Sequence, residues 1–113
     1  MIVVDDSIVR GNTQRQVVSM LRSAGAREVH VKISSPPVKW PCFYGIDFAT
    51  RAELIANGAG IEEIRTHIGA DSLAYISLEG TIAATEQDPS TLCTACFSGN
   101  YPTDVPQLHT DRK

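Results

Sequence analysis

The feature that most constrains the fold is the change in apolar spacing along the amino-terminal third of the chain. Residues 2–4 form a β-branched run that ends at the adjacent acids Asp5 and Asp6, apolar residues then recur at helical spacing over 17–24, and apolar and polar residues alternate over 29–33. This order predicts a buried strand, a helix and a second strand parallel to the first through a right-handed crossover, and therefore an α/β fold.

The remainder of the chain offers weaker signals. Three prolines make residues 34–41 an extended loop, and short helices are expected at 51–56, after a cap at Thr50, and at Ile61–Ile68, which Gly69 ends. Residues 73–78 are one more short apolar segment, and the chain beyond Thr85 reads as loop. Because a two-strand parallel unit cannot cover its own faces, we expect further strands from sequence that precedes this chain.

Length and charge exclude several classes of protein. The 113 residues contain no run near the roughly 20 apolar residues that a membrane helix needs, and the start does not resemble a secretory signal. The net charge of −3 comes from interspersed acids and bases, without a basic stripe that could follow nucleic acid. We expect a soluble cytoplasmic protein with no nucleic-acid or membrane partner.

The stretch MIVVDDSIVRGNT combines groups suited to a phosphosugar. Adjacent carboxylates at a strand end can face ribose hydroxyls directly or across Mg²⁺, which prefers oxygen ligands. The loop behind them offers backbone N–H groups, close approach at Gly11 and the hydroxyl of Thr13, at a helix amino end that favours a phosphate. Taken alone, the acid pair could also simply cap the next helix.

The three cysteines, Cys42, Cys93 and Cys96, are too few for a disulfide framework. A Cys-x-x-Cys pair by itself is compatible with zinc, with redox chemistry or with no function. A zinc site would need a fourth ligand such as His67 or His109.

The thirteen-residue stretch resembles the phosphoribosyl pyrophosphate signature of type I phosphoribosyltransferases. The segments EVHVKISSPPVKWPCFYGID, EEIRTHIGADSLAYISLEG and CTACFSGNYPT further resemble the glutamine phosphoribosylpyrophosphate amidotransferases, so that the resemblance runs from residue 1 to about 106. It implies a partial type I phosphoribosyltransferase fold, a parallel sheet with flanking helices. Residues 1–84 would be the carboxy-terminal part of the transferase domain and 85–113 a loop-rich tail, with the amino-terminal glutaminase domain outside the chain.

The resemblance also implies a set of site residues. Phosphoribosyl pyrophosphate would be bound by Asp5, Asp6, Ser7, Ile8, Val9, Arg10, Gly11, Asn12 and Thr13, with Mg²⁺ at Asp5 and Asp6. In one branch of the family a 4Fe–4S cluster is held at the positions of Cys42, Cys93 and Cys96, and its fourth ligand would lie outside this chain. Asn12 departs from the small hydroxyl residue that relatives often have there.

The activity implied is the conversion of phosphoribosyl pyrophosphate, glutamine and water to 5-phosphoribosylamine, glutamate and pyrophosphate, the first committed step of purine synthesis. This chain would serve the step that uses glutamine-derived ammonia, would be inactive alone, and would belong to a homotetramer. The alternatives are a non-catalytic purine regulator that keeps the phosphoribosyl site, and a zinc-bound interaction domain. The regulator would lack the cysteines and the CFYGID segment, and the zinc domain would leave the phosphosugar motif without a role.

Overall fold

A parallel sheet of three strands forms the centre of this computed structural model, which describes residues 1–45 and 53–104. The strands β1 (Ile2–Asp5), β2 (His30–Ile33) and β3 (Ser72–Tyr75) lie in the order β1-β2-β3. Asp5 pairs with Ile33, and Ile33 pairs with Tyr75, so all three strands end along one carboxyl edge.

The helices connect and flank these strands. They are α1 (Asn12–Ser23), α2 (Ile55–Gly58), α3 (Ile61–Ile68), α4 (Leu78–Thr85) and α5 (Ala95–Ser98), with a 3-10 turn at Pro89–Thr91. None of the helices within the described ranges is both long and apolar enough to cross a membrane.

The core lies between the sheet and helices α1, α2 and α3. In α3, Ile64 and Ile68 are one turn apart and both are buried, because a spacing of four residues places two side chains on the same helix face. The buried cluster joins residues from the strands, the helices and the loops between them: Ile8, Val18, Val29, Val31, Ile33, Ala56, Ile64, Ile68 and Ala70.

Several elements confirm the sequence analysis. The two predicted strands are present and parallel, and α3 has the predicted bounds. Gly69 ends α3 in the left-handed conformation, with φ of 80°, and its N–H donates to the Arg65 carbonyl at 3.0 Å. The first helix likewise ends just before Gly25, which has φ of 107°.

Other elements differ from the expectations. The apolar segment 73–78 contributes a third parallel strand, β3, and then the start of α4, instead of leaving a two-strand unit. The strand sequence SLAY carries no β-branched residue, which is why it gave no strand signal. The tail beyond Thr85, predicted as loop, contains the 3-10 turn and α5. Of the helix predicted at 51–56, Thr50 and residues 51–52 lie outside the described residues, and the observed α2 begins at Ile55.

The first strand is not buried on both faces as predicted. It lies at the edge of the described sheet, and Ile2 and Val4 are 66% and 72% exposed, whereas Val3 packs against the core. The period of two in a strand explains the difference, because only one face of β1 meets the helices.

Candidate functional site

A cavity of about 430 Å³ opens between the carboxyl end of β1 and the amino end of α1. It is lined by the strand-end acids, the loop that follows and the first turn of the helix: Asp5, Asp6, Ser7, Val9, Arg10, Gly11, Asn12, Thr13 and Gln14. The lining includes every residue predicted from the phosphosugar motif except Ile8, and it adds Gln14. The carboxyl edge of a parallel sheet is where α/β folds place ligands.

Ile8 has a different place from the other motif residues. Its side chain is fully buried in the core, so it anchors the loop and leaves only its backbone to meet a ligand. The loop is held on its other side by a hydrogen bond of 3.0 Å from the Ile55 N–H to the Val9 carbonyl. Two fixed points therefore shape the loop before any ligand binds.

Gly11 joins the loop to α1. Its φ of 87° lies in the left-handed region, which glycine adopts without strain, and its carbonyl accepts the Arg15 N–H at 3.0 Å to start the helix. A β-carbon at this position would lie 3.1 Å from His67 Cδ2 and 3.3 Å from Ile55 Cδ1. The first N–H groups of α1 have no acceptor within the helix, and their residues Asn12 and Thr13 line the cavity. The helix start is thus suited to an anion.

The two acids differ in their surroundings. Asp5 is half-buried: its Oδ1 accepts the Asp6 N–H at 2.8 Å and its Oδ2 accepts the Gln14 amide at 2.9 Å. Asp6 is exposed, and its Oδ1 accepts the Ser7 hydroxyl at 3.3 Å. The Asp5 backbone is held as well, since its carbonyl accepts the Ser34 N–H at 2.9 Å. Asp5 is therefore fixed in place, while Asp6 is the more accessible carboxylate.

Arg10 is the basic residue of the motif. Its Nε lies 3.4 Å from Glu53 Oε2, and both side chains are about half exposed. An exposed pair of this kind stabilises the fold little. Arg10 lines the main cavity and also a neighbouring depression that contains Glu53, Glu63 and His67.

The sequence analysis missed Gln14, which lines the cavity, and Ser34, which holds the backbone of Asp5 from outside the cavity lining. A signal for Gln14 was present, because it lies four residues before Val18 on the buried face of α1, where a polar side chain needs an internal partner. Ser34 gave no signal. Its contact with Asp5 depends on the pairing of β1 with β2.

The three cysteines belong to a second cluster, formed by the proline-rich loop and the tail. The N–H groups of Lys39 and Trp40 donate to the Cys96 carbonyl at 2.9 and 3.1 Å, and the Tyr101 hydroxyl donates to the Pro41 carbonyl at 2.7 Å. Burial raises the pKa of the Cys96 thiol, and the nearby Cys42 and Cys93 thiols raise it further. All three thiols are free, and Cys42 and Cys93 both lie within electrostatic range of Cys96.

This proximity is not in itself a metal site. Among residues 1–45 and 53–104, no group of three or more histidine, cysteine, aspartate or glutamate side chains is arranged to hold a metal ion. The candidate zinc ligand His67 lies beside Gly11 at the other cluster, and His109 lies outside the described residues.

The chain has a fold of the phosphoribosyltransferase type, because it superposes closely on solved structures of that type. The Bacillus subtilis glutamine phosphoribosylpyrophosphate amidotransferase complexed with ADP and GMP superposes with a TM-score of 0.84 at 57% identity, over 91% of this chain and 24% of that one. A structure described as the allosteric regulatory enzyme of purine biosynthesis gives a TM-score of 0.85 at 50% identity, over 99% of this chain and 26% of its own.

Curated sequences agree with the structures. The amidophosphoribosyltransferase of Mycobacterium tuberculosis is 64% identical over 112 residues, and that of Bacillus subtilis is 56% identical over 110 residues. The chain corresponds to a segment of the proteins of the amidophosphoribosyltransferase family. The matched region covers 95% of this chain but only 21% of the mycobacterial relative. For the Bacillus relative, it covers 94% of this chain and 23% of the relative. No protein-family model matches the sequence.

Proposed function

We propose that this chain supplies the ribose 5-phosphate side of the phosphoribosyl pyrophosphate site in an amidophosphoribosyltransferase. In the reaction, water hydrolyses glutamine to glutamate and ammonia, and ammonia attacks C1 of the sugar. A carbon–nitrogen bond forms, the bond from C1 to the pyrophosphate oxygen breaks, and pyrophosphate leaves with the electron pair. The products are 5-phosphoribosylamine, glutamate and pyrophosphate.

The cavity at the end of β1 is the observation that carries the proposal. Two carboxylates, a loop with a close-approach glycine and a helix amino end surround one space of about 430 Å³. We assign the 5-phosphate to the loop from Ser7 to Thr13 and the ribose hydroxyls to Asp5 and Asp6. These groups would bind and orient the sugar, since the reaction depends on positioning and on electrostatic stabilisation of the leaving group.

Asp5 and Asp6 fit a magnesium site that the substrate helps to complete. Both carboxylates line the cavity and offer the oxygen donors that Mg²⁺ prefers, and the ion usually keeps water and phosphate oxygens as its other ligands. When bound, Mg²⁺ would offset the charge of the diphosphate. Two protein carboxylates are enough for such a site, whereas a cage made of protein alone would need more.

We further propose that Cys42, Cys93 and Cys96 ligate an iron–sulfur cluster. The chemistry of the donors fits, because cysteine thiolates are the usual ligands of such clusters and a 4Fe–4S cluster takes four. Cys42 and Cys93 lie within electrostatic range of Cys96, and all three thiols are free. The fourth would come from outside this chain. The cluster would be structural, holding the proline-rich loop to the tail. Iron and acid-labile sulfide analysis of the anaerobically purified intact protein tests this: near four irons per subunit supports it, and zinc alone or no metal contradicts it.

For the whole protein we propose a cytoplasmic homotetramer whose glutaminase domain lies outside this chain. Within this chain, residues 1–84 would form the carboxy-terminal part of the transferase domain and residues 85–113 its tail. Because the chain spans about 21% of its mycobacterial relative, we expect the isolated segment to form no phosphoribosylamine.

The decisive experiment is pyrophosphate release by the intact protein, supplied with phosphoribosyl pyrophosphate, Mg²⁺ and glutamine. We expect release that depends on all three. A regulator that only binds the phosphosugar would bind it without releasing pyrophosphate, and this result would contradict the proposed enzyme. Release by the isolated 113-residue chain would contradict its expected inactivity.

A further inference from the structure

Gln14 is a polar side chain in a buried position, where a polar group needs hydrogen-bond partners. It is 8% exposed, and it is the one buried polar residue in the part of the chain that the structure describes. Its Nε2 donates to Asp5 Oδ2 at 2.9 Å and to the Ser7 carbonyl at 3.0 Å. Both hydrogens of the amide nitrogen are therefore used.

The chemistry of the partners fixes the orientation of this amide. An ionised carboxylate and a backbone carbonyl can only accept hydrogen bonds, so the nitrogen of Gln14 has to face them and the oxygen cannot replace it. The amide consequently connects the end of β1, the start of the loop and the first turn of α1 through a single atom.

Two groups of the proposed site are held by this connection. Both oxygens of the Asp5 carboxylate accept a hydrogen bond, Oδ1 from the Asp6 N–H at 2.8 Å and Oδ2 from Gln14. Each oxygen still has a lone pair for a ligand. The Ser7 carbonyl belongs to the same planar peptide as the Ile8 N–H, so holding the carbonyl also sets the direction of that donor. Gln14 thus orients an acid and a loop peptide together.

We propose that Gln14 is a positioning residue for phosphoribosyl pyrophosphate, acting through Asp5 and the loop and not by contact with the reacting atoms. The inference rests on the proposed function, because it assigns a task within the same site. A packing role would require only an unbranched side chain of similar length, whereas a positioning role requires a hydrogen-bond donor. The two roles predict opposite orders of activity for suitable variants.

The test uses three variants of the intact protein. Gln14→Met keeps the unbranched shape and removes the donor, and Gln14→Lys keeps a donor that can reach acceptors. Gln16→Leu is the control, because Gln16 lies two residues further along α1 and is exposed. Steady-state kinetics are measured against phosphoribosyl pyrophosphate and, separately, against glutamine, with thermal unfolding of each protein.

We expect Gln14→Met to lower kcat/KM for phosphoribosyl pyrophosphate by about 10- to 100-fold, mainly through kcat, because misplacement of a positioned group weakens the transition state more than the ground state. KM for glutamine should not change. Gln14→Lys should retain more activity than Gln14→Met, and Gln16→Leu should match the wild type.

Wild-type kinetics for Gln14→Met, or lower activity for Gln14→Lys than for Gln14→Met, would overturn the inference. If the methionine variant does not fold, the lysine variant decides: activity near the wild type supports positioning, and a selective loss with phosphoribosyl pyrophosphate opposes it. Failure of the wild type to release pyrophosphate would instead defeat the proposed function. The two failures are therefore distinguishable.

Discussion

At the scale of single residues, Gly11 has the most demanding backbone position of the candidate site. Its φ of 87° and the approach of His67 and Ile55 leave no room for a β-carbon without displacement of a neighbour. The same glycine ends the loop and starts α1, so strain here would reach both the cavity and the helix. A substitution should therefore affect stability and ligand binding together.

Gly11→Ala should lower the free energy of unfolding by about 1 to 3 kcal/mol, the usual cost of a non-glycine residue held in a sparsely populated backbone conformation. Urea unfolding followed by circular dichroism measures the change. Gly58→Ala is the control, since Gly58 has no left-handed φ and nothing lies within 4 Å of the new methyl group. Equal stability of the two variants would contradict the strain assigned to Gly11.

Tyr75 is the second residue with a clear physical signature. Its hydroxyl is buried and has no hydrogen-bond partner within residues 1–45 and 53–104, and burial raises its pKa to about 12. An unpaired buried hydroxyl opposes folding, because it gives up water without gaining a partner. It lies on β3 at the carboxyl edge of the sheet, paired in register with Ile33.

Tyr75→Phe should therefore raise the stability at pH 7, by up to about 1 kcal/mol, while Tyr101→Phe should lower it because the Tyr101 hydroxyl donates to Pro41. The pH dependence follows from the raised pKa. The unfolded tyrosine ionises near 10.0 and the folded one near 12, so wild-type stability falls as the pH rises above 10. The phenylalanine variant should lack this part of the alkaline loss. A less stable variant at pH 7 would refute the account.

At the scale of elements, Asp71 ties a helix to two strands. Asp71 directly precedes β3. Its Oδ2 accepts a hydrogen bond of 2.7 Å from the N–H of Val29, just before β2, and one of 2.9 Å from Nη2 of Arg22 in α1. The hydrogen bonds from Val29 and then from Arg22 lower the pKa of Asp71 below its ordinary value of 3.8. A lowered carboxyl pKa means that the folded state favours the charged form.

The stability that Asp71 contributes should be present above pH 3.8 and should be lost as the pH falls through the lower folded pKa. Asp71→Asn should accordingly have a lower Tm than the wild type at pH 7, and the difference should shrink on acidification below pH 3.8. Thermal unfolding between neutral and acid pH measures both. Asp104→Asn, at an exposed position, is the control. A difference that does not depend on pH would show that the charge of Asp71 is not responsible.

Local sequence patterns predicted some of the elements and not others. Helix α3 was predicted with its bounds because two isoleucines at helical spacing are followed by a glycine that needs a left-handed φ. Strand β3 was missed because its four residues include only one strong strand former, Tyr75. Its place in the sheet depends on contacts with β2, which no local pattern encodes.

The candidate site shows the same division. The motif from Asp5 to Thr13 is contiguous, so its meeting around one cavity follows from a strand, a loop and a helix in succession. Ser34 comes from a neighbouring strand end, and its contact with Asp5 requires the parallel pairing. Gln14 is contiguous with the motif, but its role depends on the buried face of α1, where its amide meets Asp5 and the Ser7 carbonyl.

At the scale of the whole molecule, the described residues place two groups of candidate site residues around a small sheet. The phosphosugar cavity lies at the end of β1, and the cysteine cluster joins the proline-rich loop to the tail. Gly99 brings these segments close together, because a β-carbon there would lie 2.8 Å from Trp40 Cε2. One region is proposed to bind the substrate and the other to hold the fold of the tail.

The measurement that tests the central claim most directly is calorimetric titration of phosphoribosyl pyrophosphate with Mg²⁺ into the intact protein and two variants. Asp6→Asn removes a charge from the cavity, and Glu28→Gln removes the same charge before β2, at the opposite end of the strands. We expect Asp6→Asn to weaken binding by about 10-fold or more, as for the loss of a charged contact, and Glu28→Gln to leave it unchanged. Equal affinity for the wild type and Asp6→Asn would contradict the assignment of the ribose and its metal ion to this cavity.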